Sequence, residues 1–243
     1  MSAAKKLDPF ESQIMAALNE LLSGKDHYCD PLNPFYDLDL EFLVRANSLP
    51  IFSKATIEDL FGPREEVKSF EIWKLSDKQN LLDQVQVAAT NFGMNNTLIE
   101  DLLACADELI TNSLFNAPFA QKVDRGIKEL QIPGSEPIRM EISRGQNEVL
   151  LSCTDPFGTL ELEAYFRKIL SCYENGIADS INYGPGGSGI GSFMVVERVS
   201  SLIVGLVPGK RTSFFCRFPT RMSSRKRKLV PKNLLAFQRK EST

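Results

Sequence analysis

The chain has 243 residues, of which 43% are hydrophobic and 24% charged, an ordinary balance for a polypeptide that folds around a core. Its apolar runs are broken by Asp, Glu or Lys well before the ~20 residues that span a bilayer, and the opening "MSAAKKLDPFESQ" lacks a signal-peptide centre. The expected setting is therefore cytoplasmic, with no membrane span. The formal charge is -3, and five scattered cysteines with a single histidine, His27, include no Cys-x-x-Cys pair, which argues against a disulfide framework and against a His/Cys zinc site.

In chain order, "FESQIMAALNELLSG" has helical periodicity at Phe10, Ile14, Leu18, Leu21 and Leu22, with Gly24 as its stop. "DHYCDPLNPFYDLDL" reads as loop, "ATIEDLFGPRE" as a short helix closed by Gly62 and Pro63, and "KSFEIWKL" alternates in part like a strand. A boundary is placed near residue 66, so residues 1–66 form a mainly helical N-terminal extension suited to dimerisation or partner docking. Ser76 with Gln79, and Thr97 with Glu100, read as capping boxes opening two consecutive helices, "NLLDQVQVAATNFG" and "LIEDLLACADELITNSLFNA". "IRMEIS" and "EVLLSCT", joined by "RGQN", read as a β-hairpin. "LELEAYFRKILSCYENG" looks helical, a Gly-rich "YGPGGSGIG" leads into the helix "SFMVVERVS", and two more strands, "SLIVGLV" and "TSFFCRF", are joined by "PGK". The order β-α-α-β-β-α-loop-α-β-β from residue 67 predicts an α+β two-layer sandwich, a mixed, mostly antiparallel sheet covered on one face by helices. "RMSSRKRKLVPKNLLAFQRK" makes residues 221–243 a basic C-terminal tail, a low-specificity signal open to nucleic acid, an anionic membrane or an acidic partner. Its "LVPKNLLAF" adds apolar residues that a solubility tail does not need.

Three features carry chemistry. On the second of the paired helices, Leu102, Leu103, Ala106, Ile110, Ser113 and Leu114 fall on one apolar arc, while Glu108 and Asn112, four residues apart, lie on the opposite side and Asn116, four further on, drifts toward the boundary of the arc. "DPFG", Asp155 to Gly158, follows a strand and has the composition of a type I turn. In "GPGGSGIG", Gly184, Gly186 and Gly189 satisfy G-x-G-x-x-G, but no strand precedes them, so a dinucleotide fingerprint fails on context. What remains is a glycine-rich loop feeding a helix, whose free N–H groups and positive end suit phosphate.

A helix with Glu-x-x-x-Asn, an Asp-containing turn after a strand and a Gly-x-Gly loop opening a helix, in that order, resemble the GHKL ATPases of the Bergerat fold. Within them, "FGMNNTLIEDLLACADELITNSLFNA" and "GGSGIGSFMVVERVS" look most like the small anti-sigma-factor serine kinases, over roughly residues 67 to 220. The resemblance implies ATP and Mg²⁺ as cofactors, with Glu108 as general base and Asn112 as Mg²⁺ ligand. It implies Asp155 as acceptor of the adenine amino group, with Gly158 in the same turn, and Gly187, Gly189 and Gly191 beside the phosphates. Thr212 completes the adenine pocket, and Asn116, where many of these kinases carry histidine, contacts the lid or a phosphate. A regulatory protein partner, a sigma factor or an anti-anti-sigma-like substrate, and a homodimer are implied too. The chain departs from the family's Asp-x-Gly-x-Gly turn, with Phe157 and Thr159 at the two glycine places.

Two functions follow. One is an ATP-dependent serine/threonine protein kinase that transfers the γ-phosphoryl group to a partner protein. The other is a nucleotide-responsive binding module of weak or lost turnover. A sensor histidine kinase is disfavoured because His27 sits in the loop-like "GKDHYCD".

Overall fold

The computed structural model describes residues 46–47, 64–118, 126–177, 190–223 and 233–238. Among the described residues there are seven strands: β1 (Ala46–Asn47), β2 (Glu66–Ile72), β3 (Ile138–Arg144), β4 (Glu148–Asp155), β5 (Ser201–Val207), β6 (Arg211–Pro219) and β7 (Asn233–Gln238). Four helices accompany them: α1 (Asp77–Asn91), α2 (Asn96–Phe115), α3 (Leu162–Asn175) and α4 (Gly191–Arg198). The strands form one sheet in the order β1-β7-β5-β6-β4-β3-β2. From β2 to β5 every pairing is antiparallel, whereas β7 runs parallel to β5 and β1 parallel to β7. The α+β, mixed and mostly antiparallel reading therefore holds, and no described helix is long and apolar enough to cross a membrane.

Strand alternation decides which side chains meet the helices. Val149, Leu151, Cys153 and Asp155 of β4 face the same way as Phe218, Cys216, Phe214 and Thr212 opposite them on β6. α1 packs on β2 and β3, α2 crosses β3, β4 and β6, and α4 lies on α2. α2 is the central helix. Leu102, Ala106, Ile110, Ser113 and Leu114 are buried on the expected arc, but Leu98, Cys105, Leu109, Thr111 and Phe115 are buried as well. Neighbours on both flanks explain the wider apolar surface, since α1 and α4 cover what the sheet does not.

Polar links fix the helices to one another. Lys78 Nζ reaches both Thr111 Oγ1 and Asp107 Oδ1 at 2.7 Å, tying α1 to α2, and Tyr173 Oη donates to Glu197 Oε1 at 2.6 Å, tying α3 to α4. The face of the sheet away from these helices is also buried at Leu150, Ile203 and Phe215.

Three expectations need correction. Neither capping box forms. Ser76 has helical backbone angles and makes no side-chain cap bond, and Asp77 instead accepts the N–H groups of Trp73 and Lys74. α2 is capped by Asn95, whose extended backbone lets its side chain accept the Leu98 N–H at 3.0 Å, two residues ahead of the expected Thr97. The basic tail, finally, is not all tail, because residues 233–238 form β7. Leu234 and Ala236 are buried beside Leu202 and Val204, a burial that outweighs the charge of the flanking sequence. Of the N-terminal extension, only Ala46–Asn47 and residues 64–66 are described, and the former is strand. Its expected helices lie outside the described residues.

Candidate functional site

The polar stripe of α2 is a hydrogen-bonded ladder. Asn116 Nδ2 donates to Asn112 Oδ1 at 2.7 Å, and Asn112 Nδ2 donates to Glu108 Oε1 at 2.8 Å. Spacing of four along a helix brings such pairs together, and the partly buried setting of Glu108 and Asn112 makes the bond between them worth more than at a solvated face. Asn116 is exposed, so the ladder climbs from the interior to solvent.

At its inner end the Glu108 carboxylate lies against the first residue of α4. A Cβ on Gly191 would overlap both carboxylate oxygens, so a larger residue there would require the Glu108 side chain to shift. α4 has Ile190 at its cap and no side-chain cap bond. The Glu108 carboxylate thus stands as an anion at the positive end of an otherwise uncapped helix. Gly187 and Gly189 lie outside the described residues.

The second group of expected residues forms at the end of β4. Asp155 pairs across the sheet with Thr212 of β6. Asp155 Oδ1 accepts the N–H of Phe157 at 3.0 Å and of Gly158 at 3.4 Å, closing an Asx turn. Only 3% of Asp155 is exposed. Burial pushes its carboxyl up to about 6, against the N–H groups of Phe157, Gly158 and Thr212 and the Thr212 hydroxyl, which favour the ionised form. The Thr212 hydroxyl is itself buried beside the Asp155 carboxyl.

Gly158 has a different reason to be glycine. Its φ of +62° is left-handed, and a Cβ there would overlap the Val207 carbonyl and the backbone nitrogens of Lys210 and Arg211. Close packing on the β5–β6 turn, not room for a ligand, explains it. Thr159 Oγ1 donates to the Ala117 carbonyl at 2.7 Å, and Phe157 packs against the core, so the two departures from the Gly-rich turn both tie it down.

The two groups belong to one face. Ser113 of α2 touches Cys153 Sγ at 3.6 Å, one side chain before Asp155 on the same side of β4, and Thr159 holds the Asp155 turn to the end of α2. Asp155 and Thr212 therefore lie at the C-terminal end of α2. Glu108 lies back toward its middle, about 12 Å from Asn116 along the helix axis. One end offers a buried acceptor and a buried hydroxyl. The other offers a carboxylate, a carboxamide and a helix N-terminus.

Tyr165 and Ser192 were not singled out from the sequence. Tyr165 lies in "AYFRKIL", where it reads as a core aromatic, and only the fold carries it to Glu108 and Ser192. Its hydroxyl is buried, with the Ser192 hydroxyl beside it. Burial raises the phenol's pKa, the nearby Ser192 hydroxyl opposes that rise, and Glu108 adds to it.

Beneath the site, Cys105, Cys153 and Cys216 are buried free thiols. Burial pushes Cys153 up to about 12, which keeps it an unreactive thiol. Among the described residues no three His, Cys, Asp or Glu side chains cluster to hold a metal by themselves. No protein-family model matches the chain, and no curated protein matches it.

Proposed function

We propose that the chain is a GHKL-type nucleotide-binding protein of Bergerat fold, acting as an ATP-dependent serine/threonine protein kinase on a regulatory protein partner. The reading rests above all on the Glu108–Asn112 hydrogen bond set against the start of α4, with Asp155 and Thr212 at the other end of α2.

The residues fit the group. Asp155, already held by two N–H groups, keeps carboxylate lone pairs for an exocyclic amine, and the buried Thr212 hydroxyl beside it suits a purine ring nitrogen. The uncapped start of α4 suits phosphate. Mg²⁺ needs few protein ligands when phosphate oxygens and water complete its shell, so Asn112 would serve as a single amide ligand. Bound Mg²⁺ offsets phosphate charge. Glu108 would accept the proton from the attacking hydroxyl, Asn112 would orient that carboxylate and, by rotating its amide, contribute an oxygen to the cation, and positioning supplies much of the remaining catalysis. A sigma factor or anti-anti-sigma-like protein is the partner class, and a homodimer the assembly.

A second reading has its own support. Phe157 packed on the core and Thr159 bonded to Ala117 make a firmer turn than two glycines would, which suits a nucleotide-responsive module of weak turnover. Calorimetric titration with ATP and ADP, with and without Mg²⁺, tests both readings. Micromolar binding that Asp155→Ala abolishes supports the nucleotide site, and no binding by the wild type refutes it. Glu108→Gln then separates the two, since loss of phosphoryl transfer with ATP binding kept supports the kinase.

A further inference from the structure

The face of the sheet turned away from the four helices is covered by something other than those helices. Ile203 of β5, Phe215 of β6 and Leu150 of β4 are 0%, 6% and 3% exposed, yet they stand apart from the core that the helices share with the sheet. On this face the register puts Ile203 next to Phe215 and Phe215 next to Ser152, so the three large side chains rise from a floor of Ser143, Ser152, Ser201, Ser213 and Gly205. Neighbours that short cannot bury an isoleucine completely. Other atoms must lie over it. The cover is uneven, since Val67, Ser69 and Glu71, toward the β2 edge of the same face, are exposed.

The ends of one segment point to its source. Residues 48–63 join β1, at one edge of the sheet, to Arg64, which precedes β2 at the other. Asn47 shares a row with Glu71 across all seven strands, so Arg64 lies six strands over and seven residues down, about 37 Å away by strand spacing and rise. An extended chain of that length reaches about 55 Å, enough for a direct crossing. A route over the outside of the helices would climb and descend a layer about 10 Å thick and use up all of that slack. Arg64 shows on which side the segment arrives. Its guanidinium meets Glu141 at 3.8 Å, and Glu141 alternates with the buried Met140 and Ile142, so it belongs to the face away from the helices. The Arg64 side chain is only 12% exposed there. The sequence of the segment, "SLPIFSKATIEDLFGP", sets Ile51, Phe52, Ile57, Leu60 and Phe61 against three charged residues. We propose that residues 48–63 cross this face and cover β5, β6 and β4, closing the sheet on its second side with its own chain. The face is then not a docking surface, and a partner meets the protein elsewhere. The inference is independent of the nucleotide reading.

The test is methyl NMR on the full chain, with labelled Ile, Leu and Val methyls and protonated Phe rings. Ile203→Val, Ile51→Val and Ile57→Val assign the key signals, each removing one methylene and leaving the fold in place. The Ile203 and Leu150 methyls are expected to show nuclear Overhauser contacts to side chains of residues 48–63, and a mixture of labelled and unlabelled protein should show that these contacts lie within one copy. Contacts off the sheet that go only to residues 1–45 or 224–232 overturn the proposal, because another segment is then the cover. Contacts between copies overturn it in favour of a dimer interface. An Ile203 methyl with no contact beyond its own sheet overturns it too, since the face would be open.

Discussion

Asp155 shows how the site trades stability for a poised group. Its carboxyl is raised from 3.8 to about 6, chiefly by burial. The folded chain therefore holds a proton more tightly than the unfolded one, and this residue's contribution favours folding at low pH and is lost as pH rises from about 4 to about 6. Above that window the buried charge costs about 3 kcal/mol. Asp155→Asn keeps an acceptor for the Phe157 and Gly158 N–H groups but carries no charge. It should stabilise the protein by about 1–3 kcal/mol at pH 7.5 while weakening adenosine binding, and urea titrations from pH 4 to 7.5 should show a flatter profile than the wild type. Gly158→Ala should do the reverse, costing about 2–5 kcal/mol through left-handed strain and overlap with the β5–β6 turn, as a lower urea midpoint would report. Spacing alone exposed Glu108 and Asn112, because i and i+4 are neighbours on any helix. The reason for Gly158 was hidden, since the atoms that exclude its Cβ belong to Val207, Lys210 and Arg211, some fifty residues on.

At the level of elements, period and punctuation found both hairpins and the four helices among the described residues, while caps and the last strand were misjudged. Capping depends on backbone angles at a single residue, and Ser76 at φ -64°, ψ -17° is already helical whereas Asn95 at φ -76°, ψ 160° is not. Asn95→Ala should thus cost about 1 kcal/mol and Ser76→Ala close to nothing, a difference that paired thermal melts resolve. β7 was obscured by composition, because six residues of strand sit among lysines and arginines. The pairing that makes it a strand comes from β5, which no local pattern in the tail could reveal. Tyr165 was missed for a related reason, since a tyrosine on an amphipathic helix looks like core until the opposing helices are in place.

Across the whole molecule, the sheet joins distant parts of the chain. The β3–β4 and β5–β6 hairpins are local, but β4 pairs with β6 some sixty residues later, and the edge beyond β5 is completed by β7 and then β1. Removing residues 224–243 would strip β7, expose the apolar edge of β5 and lose the burial of Leu234. The truncated protein should be at least ~2 kcal/mol less stable and prone to associate, as urea unfolding and light scattering would show. The parallel pairing of β1 with β7 has a consequence in time as well as in space. A ribosome delivers Ala46 about 190 residues before Ala236, so the earlier strand must wait through all of the intervening synthesis for the neighbour it aligns with. This edge of the sheet closes only after β7 has emerged.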